Sequence, residues 1–332
     1  MLSRRRTLPF AALALGVLLL PCANAGTIDA IYAFGDSLSD VGNVFALTGI
    51  PAPPYVNGQF SNGPVWVQDL ASELGLPALL PSLLGGTDYA YGSGETGNAA
   101  FDTSNPLTDL LGPTGQLAQF SAAHPSADPN ALYTIWIGAN DLSDIPAGST
   151  SAQIAADIGT IAGNIDTAIG TLAGAGARNF LVVTVPDLGK TPNAIAGGPL
   201  VEAGASALAL GLDTTLVNGA GPIPSLSFLA AADGLKLHVL DTYGLLDGIV
   251  ANPSHFGFTN VTAPCLVGIT VCATPNQFLF WDGQHPTAAG HAIIGEDALT
   301  LVTPEPASIS LTCAGILGLI LVRRRAAKMG RL

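Results

Sequence analysis

Charge is scarce in this 332-residue chain: Asp, Glu, Lys and Arg together make up 11% of it. Bases are scarcer than acids, 11 against 24, for a formal net charge of −13. An acidic excess of that size repels phosphate, which excludes a nucleic-acid partner. With 48% hydrophobic residues the chain is too apolar to be disordered. Its 40 glycines follow no three-residue period, which excludes a collagen-like fold. The sequence also lacks an internal repeat, an interdomain linker and a low-complexity tract. There are only four cysteines, and no close histidine completes a metal-ligand set around any of them. What remains is enough chain to bury a sizeable core in one large domain or two small ones.

The few bases lie mostly at the ends. Arg4, Arg5 and Arg6 open the chain, and Arg323, Arg324, Arg325, Lys328 and Arg331 close it. Only Arg178, Lys190 and Lys236 lie between, whereas every acid falls from Asp29 to Glu305. Arg4–Arg6 precede a short apolar run, Leu8 to Leu20. Pro21 and the small-residue pattern Ala23-Asn24-Ala25 come next. This order predicts a signal peptide over residues 1–25, since the run is too short to span a membrane comfortably. Near the other end, Thr303-Pro304-Glu305-Pro306 leads into the apolar stretch Ala307 to Val322, closed by the three arginines. As a helix that stretch reaches about 24 Å, slightly short of a hydrocarbon core. The three-part tail resembles the PEP-CTERM sorting signal of bacterial exported proteins. That resemblance implies export to the cell surface, transient membrane insertion through the tail, a sorting protease that cuts near Pro-Glu-Pro, and exopolysaccharide as a neighbour. The predicted division is therefore 1–25 signal peptide, 26–302 folded domain and 303–332 sorting tail. Cys22 and Cys313 fall in the two ends, so in an oxidising compartment Cys265 and Cys272 are expected to pair.

The central part reads as one α/β domain. Apolar, β-branched runs at Ile28–Phe34, Asp88–Tyr91, Leu132–Ile137, Asn179–Val185 and Leu237–Leu240 are strand candidates. Helical patterns alternate with them. The clearest runs from Ser151 to Leu172, where Ile154, Ile158, Ile161, Ile165, Ile169 and Leu172 fall on one face. Ser151 is the expected cap, with Gly174 and Gly176 ending the helix. Alternating strands and helices imply a parallel sheet covered on both faces. Ligands of such sheets sit beyond the carboxyl ends of the strands.

Four short blocks fall at those ends. Gly35-Asp36-Ser37-Leu38 follows the first strand and can present a serine hydroxyl, although such a tripeptide is as often a turn. Asp88-Tyr89-Ala90-Tyr91-Gly92-Ser93-Gly94 is a glycine-rich loop whose N–H groups could approach a substrate closely, or simply a loop. Gly138-Ala139-Asn140-Asp141 offers an amide side chain as an oxyanion donor, or an ordinary Asx turn. In Asp282-Gly283-Gln284-His285, the histidine can serve as a base for a serine and the carboxylate can hold its second ring nitrogen. A helix from Pro286 to about Leu301 follows. His124, His238, His255 and His291 have no such carboxylate and are assigned structural or surface roles.

Taken in order, these blocks resemble the GDSL, or SGNH, hydrolase superfamily. Phe34 to Asn43, Ser61 to Trp66 and Phe280 to Thr287 are similar to its secreted phospholipase/lecithinase/hemolysin branch. The resemblance implies a three-layer α/β/α fold with a flavodoxin-like sheet of about five parallel strands. It also implies a cofactor-independent carboxylic ester hydrolase of the lipase/esterase type, acting on an ester or lipid substrate. By the same resemblance Ser37 is the nucleophile, His285 the general base and acid, and Asp282 its orienter. The Ser37 N–H, the Gly92 N–H and the Asn140 side chain form the oxyanion hole. The second block departs from the family's Asn-Phe-Ala lead and paired glycines, so Gly94 competes with Gly92. An acyltransferase or polysaccharide O-deacetylase with the same triad is the alternative, and a catalytically silent surface-binding protein a further one.

Overall fold

The computed structural model describes residues 28–97, 105 and 107–303. The predicted signal peptide and the sorting tail beyond Thr303 lie outside the described residues. In chain order the elements are β1 (Ile31–Gly35), α1 (Asn43–Thr48), α2 (Trp66–Glu73), α3 (Gln116–Ala123), β2 (Leu132–Trp136), α4 (Ala139–Asp144), α5 (Ser151–Ala175), β3 (Asn179–Val183), α6 (Pro192–Gly197), α7 (Pro199–Asn218), α8 (Leu226–Asp233), β4 (Lys236–Leu240), α9 (Thr242–Ala251), β5 (Asn260–Pro264), β6 (Leu266–Val267), β7 (Thr270–Val271), β8 (Phe278–Phe280) and α10 (Ala288–Val302).

The main sheet is parallel, in the order β1-β2-β3-β4. It has four regular strands where five were expected. The fifth segment is present but irregular. Residues 87–91 run parallel along the free edge of β1, where the Ala33 N–H donates to Thr87 O (3.1 Å), Tyr89 N–H to Ala33 O (2.7 Å) and Tyr91 N–H to Gly35 O (3.1 Å). Asp88 breaks the regularity. Its own N–H donates to Leu80 O, its carbonyl accepts from the Ser82 N–H, and its carboxylate accepts from the Ala90 N–H. Counting this segment, the order is that of a flavodoxin-like sheet.

Both faces of the sheet are covered, as a parallel sheet requires. On one face Phe34, Tyr133, Ile135, Phe180 and Val182 pack against α3, α5 and α7. On the other, Ile31, Ala33, Leu132, Leu181 and Val183 pack against α2 and α10. This strict alternation makes the three layers. Helix α5 buries the expected isoleucine face from Ile158 to Leu172. Its cap is Thr150, not Ser151: Thr150 Oγ1 accepts from the Gln153 N–H, and Gln153 returns the bond to the Thr150 N–H. Gly174 lies within α5, and Gly176 (φ 120°) ends it. Helix α10 likewise starts later than expected. Thr287 caps it and Pro286 precedes the cap. Cys265 and Cys272 are bonded (S–S 2.02 Å) and close the β6–β7 hairpin.

Candidate active site

Ser37 sits in the turn that leaves β1. Gly35 permits the turn, because a Cβ there would lie 2.3 Å from the Trp136 carbonyl oxygen. The Gln116 amide clamps the same strand end, accepting from the Gly35 N–H (2.9 Å) and donating to the Gly35 carbonyl (2.7 Å). The Asp36 carbonyl accepts from the N–H groups of Ser39 and Asp40, which tightens the turn. The Ser37 N–H has no partner among the described residues.

His285 reaches this turn from the segment between β8 and α10. Its Nε2 lies 2.8 Å from Ser37 Oγ, and its Nδ1 lies 2.7 Å from Asp282 Oδ2. Both Ser37 and His285 are 7% exposed, enough to be reached from one side only. Asp282 is held by four donors. Its Oδ1 accepts from the Gln284 and His285 N–H groups (2.9 and 2.8 Å), and its Oδ2 accepts from His285 and from the Tyr55 hydroxyl (2.8 Å). Burial alone would raise this carboxyl, but the His285 bond and charge and the two backbone N–H groups outweigh it and hold it at about 2. An ionised carboxylate only accepts, so a neutral His285 carries its proton on Nδ1 and turns the Nε2 lone pair toward Ser37.

Asn140 stands in the first turn of α4, after Gly138 (φ 117°). It lines the same hollow as Ser37 and His285, and its Nδ2 donates to the Gly94 carbonyl (2.8 Å). The glycine loop differs from expectation. The Gly92 N–H is taken by Asp40 Oδ2 (2.9 Å), and the Gly94 N–H by the Tyr91 carbonyl (3.0 Å). Gly92 serves packing: a Cβ there would lie 2.4 Å from the Phe60 ring. Phe60 in turn lies against His285, with ring centroids 5.3 Å apart. Between the two glycines, Ser93 is exposed, has φ 61°, and its N–H has no partner among the described residues.

Three further groups of residues support the site without a role legible from sequence. Tyr55 is separated from Asp282 by 227 positions, and no local pattern marks it. Asp40 gathers the N–H groups of Gly42, Asn43, Val44 and Gly92. Asn43 donates to the carbonyls of Asp88 and Ala90. Asp40 and Asn43 therefore tie the Ser37 turn to the glycine loop, and both lie in the motif run that begins at Phe34. Asp36 is fully buried beside Ser37; burial pushes its carboxyl up to about 7, against the Leu38 N–H and His285. Of the other histidines, His124 packs edge-on against Tyr32 and tilted against Phe120, and His255 lies edge-on against Phe256. His291 is buried, which pushes it down to about 3. Among the described residues no group of three or more His, Cys, Asp or Glu could hold a metal ion.

The family model described as GDSL-like Lipase/Acylhydrolase matches residues 31–298. A thermolabile hemolysin of Vibrio parahaemolyticus is 27% identical over 291 residues, covering 82% of this chain and 63% of the hemolysin. This chain thus spans less than two thirds of that relative's length. A phosphatidylcholine-sterol acyltransferase of Aeromonas hydrophila is 28% identical over 325 residues, covering 83% and 90% of the two chains. A GDSL esterase/lipase of Arabidopsis thaliana is 26% identical, covering 80% and 85%. Among solved structures, an acetylxylan esterase from Geobacillus stearothermophilus aligns over 84% of this chain and 97% of its own, at 13% identity and a TM-score of 0.43.

Proposed function

The chain belongs to the GDSL-like lipase/acylhydrolase family, and from that membership we propose that it is an ester hydrolase working through an acyl-enzyme on Ser37. The carrying observation is the unbroken hydrogen-bonded path from Ser37 Oγ through both ring nitrogens of His285 to Asp282. Ser37 Oγ attacks the ester carbonyl while its proton passes to His285 Nε2. The carbonyl oxygen becomes an anion, received by the Ser37 N–H and the Asn140 amide. The glycine loop would supply the third donor; there the Gly92 and Gly94 N–H groups are engaged by Asp40 Oδ2 and the Tyr91 carbonyl, and the Ser93 N–H is open among the described residues. When the C–O bond breaks, His285 returns the proton to the departing alcohol. Water then attacks the acyl-enzyme by the same proton route in reverse, releasing the acid and restoring Ser37. Asp282 fixes the histidine tautomer and stabilises the imidazolium, and Tyr55 holds Asp282 in place.

Ser37→Ala should abolish turnover of a short-chain p-nitrophenyl ester while leaving the circular dichroism spectrum unchanged. Undiminished turnover would refute the assignment. The silent-binder reading predicts that the wild-type protein resists a serine-directed fluorophosphonate; the geometry around Ser37 supports labelling. Acyl transfer is a second reading, favoured by the identity to the Aeromonas acyltransferase. It uses the same acyl-enzyme but delivers the acyl group to another alcohol, and product analysis with an added alcohol separates the two.

Export belongs to the same proposal. The Cys265–Cys272 bridge supports an oxidising destination for the 26–302 domain. Residues 1–25 would then be removed as a signal peptide. Residues 303–332 would act as a PEP-CTERM-like sorting tail, inserted briefly in the membrane and cut by a sorting protease. Intact-mass measurement of the surface-released protein tests both cuts.

A further inference from the structure

The outer face of a surface helix is normally charged or polar. That of α7 is neither. Leu200, Ala203, Ala207, Leu210, Thr214 and Val217 recur at steps of 3, 4, 3, 4 and 3. At 3.6 residues per turn these positions form one stripe about 100° wide. All six are exposed, Leu200 at 91% and Leu210 at 51%. The space beside the stripe is open, since a Cβ at Gly204 would meet nothing within 4 Å. The opposite face is occupied: Ala209, Leu212 and Leu216 pack in the core with α5 and the sheet. The helix has two charged residues, Glu202 and Asp213, and neither is on the stripe. Asp213 is buried and accepts from the Val185 N–H. Glu202 lies about 60° beyond the nearest edge of the stripe. By length and composition α7 would suit a membrane crossing, which its packed inner face forbids.

We infer that this face pairs with the same face of a second copy of the chain, α7 against α7, antiparallel about a twofold axis. An isologous contact must be self-complementary, residue i meeting j and j meeting i. The stripe has that property about the midpoint between Ala207 and Leu210. Reversal sets Leu200 against Val217 of the second copy, Ala203 against its Thr214 and Ala207 against its Leu210. Large residues meet at both ends, smaller ones meet inside them, and each central Ala207 makes room for a Leu210. Charge selects the direction. Antiparallel pairing keeps the two Glu202 carboxylates about 20 Å apart along the axis, whereas parallel pairing in register would bring them together. Charge also selects the face. Each copy carries −13 overall, so two copies repel, and they meet most easily where no carboxylate loses its water. A lipid surface suits the stripe less: interfacial helices are rich in Lys and Arg and often carry Trp or Phe, and α7 has none of these. The stripe is about 26 Å long. A strip of that length and one helix wide covers less than the roughly 800 Å² per partner of a standard interface, so the dimer is reversible and concentration-dependent.

The test is sedimentation velocity of the full chain from about 1 to 200 µM. The expected result is a monomer–dimer equilibrium with a Kd in the micromolar range. Added salt should tighten it or leave it unchanged, because the contact holds no ion pair and screening weakens the overall repulsion. Ala207→Lys and Leu210→Glu, each alone, should weaken association at least tenfold. Both positions are exposed, so circular dichroism and ester turnover should stay unchanged. Mixed in equal amounts the two variants should associate again, because the reversed register sets the two substituted positions against each other. A chain that stays monomeric across the range overturns the inference. So does association that survives both single variants, which would place it elsewhere on the chain, or a loss in both with no recovery on mixing. Flotation with phosphatidylcholine vesicles is run alongside. Vesicle binding by a chain that is monomeric in solution, lost in Leu210→Glu, would give the face to lipid and overturn the pairing.

Discussion

Replacing Tyr55 by Phe removes one of the four donors that hold the Asp282 carboxylate. The Tyr55 O–H donates to Asp282 Oδ2, the same oxygen that faces His285 Nδ1. A hydrogen bond to a charged group contributes roughly 1.5–3 kcal/mol. Without it the Asp282 charge is less dispersed, and its attraction for a proton on His285 rises. If about a third of that energy passes to the imidazolium, the shift is about half a pH unit, at 1.36 kcal/mol per unit. The sign follows directly: a more concentrated negative charge favours the protonated ring, so the base is lost at higher pH. The acid limb of the kcat/KM profile should therefore move upward by about half a pH unit, with at most about a threefold loss of rate on that limb and a smaller one on the plateau above it. Burial raises the Tyr55 phenol, so it donates throughout this range and contributes no limb of its own. The assay is hydrolysis of a soluble p-nitrophenyl ester from pH 5 to 9 in both proteins. An unmoved acid limb, with the rate lowered equally at every pH, would show that Tyr55 only fills space and would refute the reasoning.

Asn140→Ala should lower kcat by roughly two to three orders of magnitude with little change in KM, as expected for a donor used mainly in the transition state; steady-state kinetics decide. Reducing the Cys265–Cys272 bridge should lower Tm by about 4–12 °C. Closing so short a loop contributes roughly 2–3 kcal/mol, and each kcal/mol is worth about 2–4 °C in a domain of this size. Stability should fall as pH rises from 5 to 8. Burial raises Asp36 to about 7 and Asp213 to about 8, so the folded state favours their protonated forms and loses that advantage as pH climbs through those values. Melting curves across that range test the direction, and a Tm that rises steadily to pH 8 would contradict it.

Most of the fold was legible because its signals are local. The isoleucine spacing of α5 needed only the 3.6-residue period, and the apolar runs marked β1 to β4 within a few residues. The errors lie at ends, where tertiary bonds decide. The run Asn179–Val185 outlasts β3, yet the Thr184 N–H still donates to Leu240 O beyond the strand's last residue. Thr150 displaced Ser151 as a cap because Gln153 stands three residues after it, a reciprocal pairing visible in the sequence itself. The segment Asp88–Tyr91 is a strand candidate by sequence and runs beside β1 irregularly. Asp88 diverts its backbone toward Leu80 and Ser82, a competition between partners that composition does not reveal.

The site divides along a different line. Ser37, His285 and Asp282 were legible because their chemistry demands particular side chains at strand ends, and the structure brings all three together. The glycine loop was not, because an oxyanion donor is a backbone N–H and carries no side-chain signature. Glycine there suggested close approach to a substrate. In the structure Gly92 makes its close approach to Phe60, and its N–H donates to Asp40 Oδ2. The open N–H belongs to Ser93, a residue that must hold φ 61° without glycine's freedom. Ser93→Gly is therefore the diagnostic substitution for the loop. It keeps the N–H, relieves the left-handed strain and deletes only an exposed hydroxyl, so activity should be retained or raised. Gly92→Ala drives a Cβ into the Phe60 ring beside His285 and should lower activity and Tm together. The reverse pattern, with loss at Ser93 and tolerance at Gly92, would return the donor role to the glycine.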